Sequence, residues 1–228
     1  MAINLQKGQR IEIGLSKVGV GLGWDPNEGT GFDFDLDASA FMLGENHKLP
    51  KEEYFVFYNS ELRVLPDNLT KFEPRNPTKY PPYFDQEEER QIDSEEHWKK
   101  KTRPISPDYA VVGSFDDTSG AESDGGDDET INIDLNKVDS KIAEIILTAT
   151  IYECEKRKQN FGQVRNSYIR IFNDITGEEI AKYELDEDFS VETAVEFGRL
   201  YKKNGEWKFE AIGKGYRGGL QYFVDRYI

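Results

Sequence analysis

Short segments in which polar and apolar residues alternate recur along this chain, and they constrain its fold more than any other feature. Alternation with a period of two is the pattern of a β-strand that buries one face. The pattern occurs at residues 10–15, 32–43, 130–135, 168–173 and 207–211. Clusters of Gly, Pro, Asn and Asp separate these segments, as expected of turns. The chain is therefore predicted to be all-β dominated.

Further strands are predicted from short apolar runs and from a hairpin pattern. Residues 54–58 and 142–151 have the composition of buried strands, and residues 180–185 are expected to pair with residues 168–173. Many short strands with glycine-rich turns indicate a β-sandwich of two sheets with one or two short helices.

Two helices are expected. Ser190 can cap a helix over residues 190–201, and apolar residues at helical spacing form one stripe on it. That stripe consists of Val191, Ala194, Val195, Gly198 and Tyr201. A second, short helix is expected near residues 85–100.

The chain length of 228 residues fits one domain, residues 1–228. Residues 61–105 depart from the rest in composition, with six prolines and many charged residues. We interpret this stretch as an insertion into the main fold, partly irregular. Cys154 is the single cysteine, which excludes an internal disulfide, and no apolar run approaches the 18 residues of a membrane span. These features predict a cytoplasmic protein without a transmembrane segment.

The formal net charge of −15 constrains the partners of this chain. A negative field repels the phosphates of nucleic acids and anionic lipid headgroups, whereas it attracts divalent cations and basic proteins. Direct binding of nucleic acid is therefore not expected.

Three aspartates alternate with apolar residues at Asp33, Asp35 and Asp37. In a strand they would share one face, and Phe34 and Leu36 would share the other. A row of like charges is unfavourable in a strand unless a cation neutralises it, although a solvated outer face is the alternative explanation.

A second acidic stretch follows at residues 116–129, among glycines and hydroxyl residues. Calcium takes six to eight oxygen ligands from flexible loops, and the lack of a nearby His or Cys disfavours zinc and copper. From this loop alone, a solvated surface loop and a metal site are equally good interpretations. Its seven carboxylates are Asp116, Asp117, Glu122, Asp124, Asp127, Asp128 and Glu129.

Several ordered motifs resemble the TerD family of tellurium-resistance and stress proteins. They are Gly21-Leu22-Gly23-Trp24-Asp25, the stretch from Phe32 to Ala40, Gly126-Asp127-Asp128-Glu129, Asn160-Phe161-Gly162-Gln163 and Trp207-Lys208-Phe209. The resemblance implies a β-sandwich with two calcium ions bound by acidic loops, and no established catalytic activity. It also implies a bacterial cytoplasmic stress protein that assembles with related resistance proteins at the inner face of the membrane.

The resemblance also implies a set of metal ligands or their close neighbours. The first set is Asp25, Asp35, Asp37, Asn59, Asp116, Asp127, Asp128 and Glu129, and the second is Asp33, Asp117, Glu122 and Asp124.

Three functions remain open from the sequence. The first is a non-catalytic, calcium-binding signalling module of the stress response. The second is a metal-assisted hydrolase that uses the same carboxylates, although no base or positioned nucleophile is apparent. The third, compatible with the first, is an assembly protein that docks through residues 61–105, with aromatic anchors at Tyr80, Tyr83, Phe84 and Trp98.

Overall fold

Two antiparallel sheets form the body of the protein. The computed structural model describes residues 7–64, 83–85, 90–92, 99–121 and 126–228. Within these residues, strands predominate and helices are few and short, so the predicted fold class is confirmed. Strands are numbered β1–β15 along the chain.

The larger sheet has six strands. In spatial order they are β1 (Arg10–Glu12), β15 (Glu206–Tyr216), β14 (Ala194–Lys203), β11 (Glu144–Ile151), β3 (Leu36–Leu43) and β4 (Phe55–Val56). Every neighbouring pair is antiparallel, and β3 pairs with β11 so that Asp37 lies opposite Thr150.

The smaller sheet has five strands. Their order is β13 (Glu179–Glu184), β12 (Tyr168–Asn173), β2 (Lys17–Gly23), β10 (Glu129–Asp134) and β9 (Val111–Gly113). Two isolated strand pairs complete the described set. They are β5 (Arg63–Val64) with β8 (Arg103–Pro104), and β6 (Tyr83–Asp85) with β7 (Arg90–Ile92).

Apolar residues from both sheets form the main core between them, including Val20, Leu36, Ile133, Leu147 and Ile171. Alternation is clear in β10, where every second residue is buried. In β3 and β11, by contrast, all residues are buried because a second apolar layer covers the outer face of the larger sheet. That layer comes mainly from the C-terminal helix, Gly219–Tyr227.

The helix predicted at residues 190–201 is wrong, because most of that segment lies in β14. Strand β14 pairs with β11 and β15, and it carries a bulge between Glu196 and Gly198. Both of its faces are buried at its start, so apolar residues stand at adjacent positions instead of alternating. The bulge shifts the spacing of the apolar residues further. Together, the two effects produced the spacing that is typical of the apolar face of a helix.

The short helix predicted near residues 85–100 falls largely outside the described residues. Within the described part, strands β6 and β7 pair antiparallel, whereas residues 99–101 are helical. Three further helices are described over their whole length. They are α1 (Cys154–Arg157), α2 (Leu185–Asp188) and α3 (Gly219–Tyr227), with 3-10 turns at Glu52–Tyr54 and Phe161–Gln163.

Candidate metal centre

Three carboxylates from separate segments converge at one place, and we call Asp37, Asp116 and Glu129 the acidic cluster. Asp37 belongs to β3 of the larger sheet, whereas Glu129 begins β10 of the smaller sheet. Asp116 follows β9 in the loop that leads to β10. One oxygen from each carboxylate lies within 4.8 Å of the others. Both sheets therefore contribute side chains of the same charge to the cluster.

The pleat of β3 explains how Asp37 reaches this position. Leu36 and Ala38 are buried in the main core, so the intervening side chain of Asp37 points to the opposite face of the strand. The backbone N–H of Ala38 donates a hydrogen bond of 2.7 Å to Oε2 of Glu129. This bond fixes the start of β10 against β3 and holds the two carboxylates together.

Burial makes the cluster electrostatically unfavourable when no cation is present. Asp37 and Glu129 are 2% and 5% exposed, respectively. Loss of hydration raises the pKa of Asp37 well above its usual value, and the charges of Asp35 and Asp116 raise it further. Burial and the charge of Asp37 likewise raise the pKa of Glu129, against the lowering effect of the Ala38 N–H.

Neighbouring groups modify the two acids at the rim. Burial raises the pKa of Asp35 to about 6, with Asp116 adding to the shift and Arg157 opposing it from 3.4 Å. Asp116 is exposed as a residue, but partial burial of its carboxyl group raises its pKa. The guanidinium of Arg63 opposes that shift. The two cations thus offset only part of the negative charge.

The donor set suits a hard cation. All three groups of the acidic cluster are carboxylates, which together supply up to six oxygens, and none is an imidazole or thiol. Calcium accepts six to eight oxygens in flexible geometry, while magnesium retains more of its water and needs fewer carboxylates. Zinc sites are built mostly from nitrogen and sulfur. The residues present therefore fit calcium best.

Comparison with known proteins places the chain in a family. A profile of the TerD domain matches residues 1–79 and 87–227. The chain belongs to the TerD family. It is 40% identical over 233 residues to General stress protein 16U of Bacillus subtilis (strain 168), and the alignment covers all of this chain and 97% of that protein.

A second relative agrees with this assignment, and a solved structure shares the fold. Tellurium resistance protein TerD of Serratia marcescens is 38% identical over 232 residues, which cover all of this chain and 97% of that protein. The crystal structure of a homologue of telluride resistance protein (TerD) from Streptomyces coelicolor A3(2) is 18% identical. It matches the fold with a TM-score of 0.59 over 92% of this chain and 96% of the other.

Four of the remaining expected ligands in this TerD chain accept hydrogen bonds from protein groups, and their role as ligands stays a prediction. Both carboxylate oxygens of Asp127 accept hydrogen bonds of 2.8 Å from Arg170, and Tyr168 donates another of 2.9 Å. Oδ2 of Asp128 accepts the N–H of Trp24 at 2.8 Å. Asp117 and Asn59 are engaged in the same way. Asp117 accepts hydrogen bonds from the N–H groups of Ser119 and Gly120, and Oδ1 of Asn59 accepts one from Nζ of Lys99.

The other expected residues of the TerD chain lie around the loop between β2 and β3, or outside the described part. Oδ2 of Asp25 accepts a hydrogen bond of 2.6 Å from Asn166, and Asp33 is exposed ahead of β3. Glu122 and Asp124 lie outside the described residues. Within the described residues, the acidic cluster is the group of three acids that could hold an ion, so a second calcium site stays a prediction.

Arg63 and Tyr58 are neighbours of the TerD acidic cluster that sequence patterns did not single out. Arg63 is fully buried, and its guanidinium donates to Thr102 and to the backbone oxygens of Tyr58 and Lys99. Burial raises the pKa of Tyr58, and the charge of Asp37 adds to that shift. Arg63 thereby connects the start of residues 61–105 to the end of that stretch, beside the cluster. The whole-chain assignment to a single domain and the insertion at 61–105 stay predictions.

Of the helices in the described part of this TerD chain, none combines the length and the apolar character that a bilayer span requires.

Proposed function

We propose that this TerD-family protein binds calcium at the acidic cluster and acts as a non-catalytic module in the bacterial stress response. The observation that carries the proposal is the convergence of Asp37, Asp116 and Glu129, two of them buried, within 4.8 Å. Like charges at that distance in a protected site favour either protonation or a bound cation. Near neutral pH, a divalent cation in the medium replaces the protons.

Calcium would connect the two sheets through this site. Because β3 and β10 belong to different sheets, an ion held by Asp37 and Glu129 would hold one end of the sandwich closed. It would also order the loop that carries Asp116. The proposed role is therefore a calcium-dependent surface for assembly with related stress-resistance proteins on the cytoplasmic side of the membrane. The relatives' names, tellurium resistance and general stress proteins, support the stress-response part of this proposal.

Calorimetric titration of the metal-free protein with calcium, and separately with magnesium, tests the proposal. We expect saturable calcium binding that is tighter than magnesium binding. The double variant D37N/E129Q should lose the site in the acidic cluster. As a matched control, E187Q/D188N removes two exposed charges from α2 and should bind as the unaltered protein does. Equal calcium binding by D37N/E129Q and the unaltered protein would reject the cluster as the site.

A further inference from the structure

A groove of about 900 Å³ lies beside the acidic cluster but has a different character. Three segments line it, at residues 52–61, 151–156 and 218–228, and Asp37 contributes to its wall. The first segment follows β3, the second contains the turn into α1, and the third is mainly helix α3. The groove therefore lies against the outer layer of the larger sheet rather than between the sheets.

The walls of the groove offer apolar surface. Leu220 and Val224 belong to α3 and are half-buried, as is Phe57 of the first segment. Ile228 remains 50% exposed. Pockets that bind small molecules commonly combine such apolar surface with a few placed polar groups, and 900 Å³ lies within their usual range of about 300–1,000 Å³, so the groove has room for several side chains.

The rim of the groove is strongly acidic. Five exposed glutamates line it, and Lys156 is the one cation among the described lining residues. Lys156 is bound to Glu153 at 2.9 Å, whereas Glu52, Glu53 and Glu155 are exposed at the rim. The five glutamates are Glu52, Glu53, Glu61, Glu153 and Glu155.

We infer that the groove docks a basic, amphipathic segment of a partner protein. Lys and Arg combine an apolar stem with a charged end, so their stems can pack on Phe57 and Leu220 while their charges meet the rim glutamates. The same carboxylates repel anionic lipid and nucleic acid, which makes a protein the favoured partner. The inference does not depend on calcium binding at the acidic cluster.

Fluorescence anisotropy with a defined probe tests this inference. The probe is a labelled peptide of about 12 residues in which Lys and Leu alternate, matching a two-faced groove. A peptide with Glu in place of Lys and one with Ser in place of Leu serve as comparisons. Titrations with the full chain are run in chelator and again in calcium, so that failure of the calcium proposal remains distinguishable.

Two triple charge reversals separate docking from general attraction to an acidic protein. E52K/E53K/E155K alters the rim, and E45K/E187K/E206K alters exposed glutamates elsewhere. We expect the rim variant to bind the Lys–Leu peptide at least ~10-fold more weakly, and the control within about 3-fold of the unaltered protein. The Glu–Leu and Lys–Ser peptides should each bind at least ~10-fold more weakly than the Lys–Leu peptide.

A variant of the apolar wall tests the second half of the inference. L220S should weaken binding of the Lys–Leu peptide about 5-fold but leave the Lys–Ser peptide unaffected, with folding checked by circular dichroism. Equal weakening by both triple variants would overturn the inference. So would the absence of saturable binding of the Lys–Leu peptide by the full chain.

Discussion

Two groups of carboxylates in this protein, each with buried members, differ in what neutralises them. In the acidic cluster, Asp37 and Glu129 lie beside another acid, and burial raises their pKa values. In the paired cluster, which we define as Glu144, Arg199 and Glu210, the arginine contacts Glu144 at 2.8 Å and Glu210 at 2.7 Å. Burial alone would raise the pKa of Glu210, yet hydrogen bonds from Arg10 and Arg199 keep it below its usual value.

The difference shows that an acidic composition alone does not identify a metal site. The fold places the guanidiniums of Arg199 and Arg10 against Glu144 and Glu210, whereas the acidic cluster keeps a net negative charge. Only the acidic cluster is stabilised by an added cation, because the carboxylates of the paired cluster already contact arginine. The contribution of the paired cluster to stability should therefore depend on arginine, and that of the acidic cluster on calcium.

The largest expected effect on stability follows from breaking the paired cluster. R199M would leave Glu144, which is 4% exposed, without its guanidinium partner. We expect a loss of about 3 kcal/mol in the free energy of unfolding, at the low end of the range for broken buried pairs because Arg199 is partly exposed. Urea denaturation with and without calcium measures it, and the loss should be the same in both. R165M, which removes an exposed partner of Glu28, should cost less than about 0.5 kcal/mol.

The next effect is the stabilisation that calcium gives through the acidic cluster. At a free calcium concentration about 100-fold above the dissociation constant, we expect about 2.7 kcal/mol of added stability. D37N/E129Q should abolish this gain and, in chelator, should be more stable than the unaltered protein because repulsion is relieved. Thermal unfolding in chelator and in calcium checks both signs. A chelated D37N/E129Q less stable than the chelated parent would contradict the account.

A smaller effect distinguishes Asp127 from the cluster. D127N weakens the charged hydrogen bonds from Arg170 and should lower the free energy of unfolding by about 1.5 kcal/mol. Because both oxygens of Asp127 already bind Arg170, we expect the calcium affinity of the acidic cluster to stay within about 3-fold of the parent value. Calorimetric titration of D127N would show a lost site if Asp127 were instead a ligand.

The smallest effect is a pH dependence at Asp35. Its pKa is raised to about 6 in the folded chain, so its contribution to stability is present below about pH 4 and is lost as the pH rises through 6. In chelator, the stability difference between the parent and D35N should therefore change by about 1 kcal/mol between pH 5 and pH 7, with the parent relatively weaker at pH 7. A change of the opposite sign would contradict the raised pKa.

Strand patterns predicted most of the fold because alternation survives wherever one face is solvated. Strand β10 and the hairpin of β12 and β13 are examples. The prediction failed at residues 190–201 because β14 is covered on both faces and bulged, which removes the period of two. Coverage by α3 is a tertiary contact between distant segments, so no local pattern could have revealed it.

Alternation of polar and apolar residues also predicted part of the candidate site. The alternation at Asp35 and Asp37 placed Phe34 and Leu36 toward the core, and the structure brings Asp37 to Glu129 from 92 residues away. Sequence could not separate Glu129 from Asp127, two residues earlier, because the difference depends on Arg170 in another strand. Side-chain pairing across a sheet decides which acids remain available to a cation.

A crystal structure of the protein grown in saturating calcium tests the central claim most directly. We expect an ion bound by oxygens of Asp37, Asp116 and Glu129 at about 2.3–2.6 Å, with Asp127 still paired to Arg170. Density for calcium elsewhere, with Asp37 and Glu129 in contact with each other and no ion between them, would contradict the account.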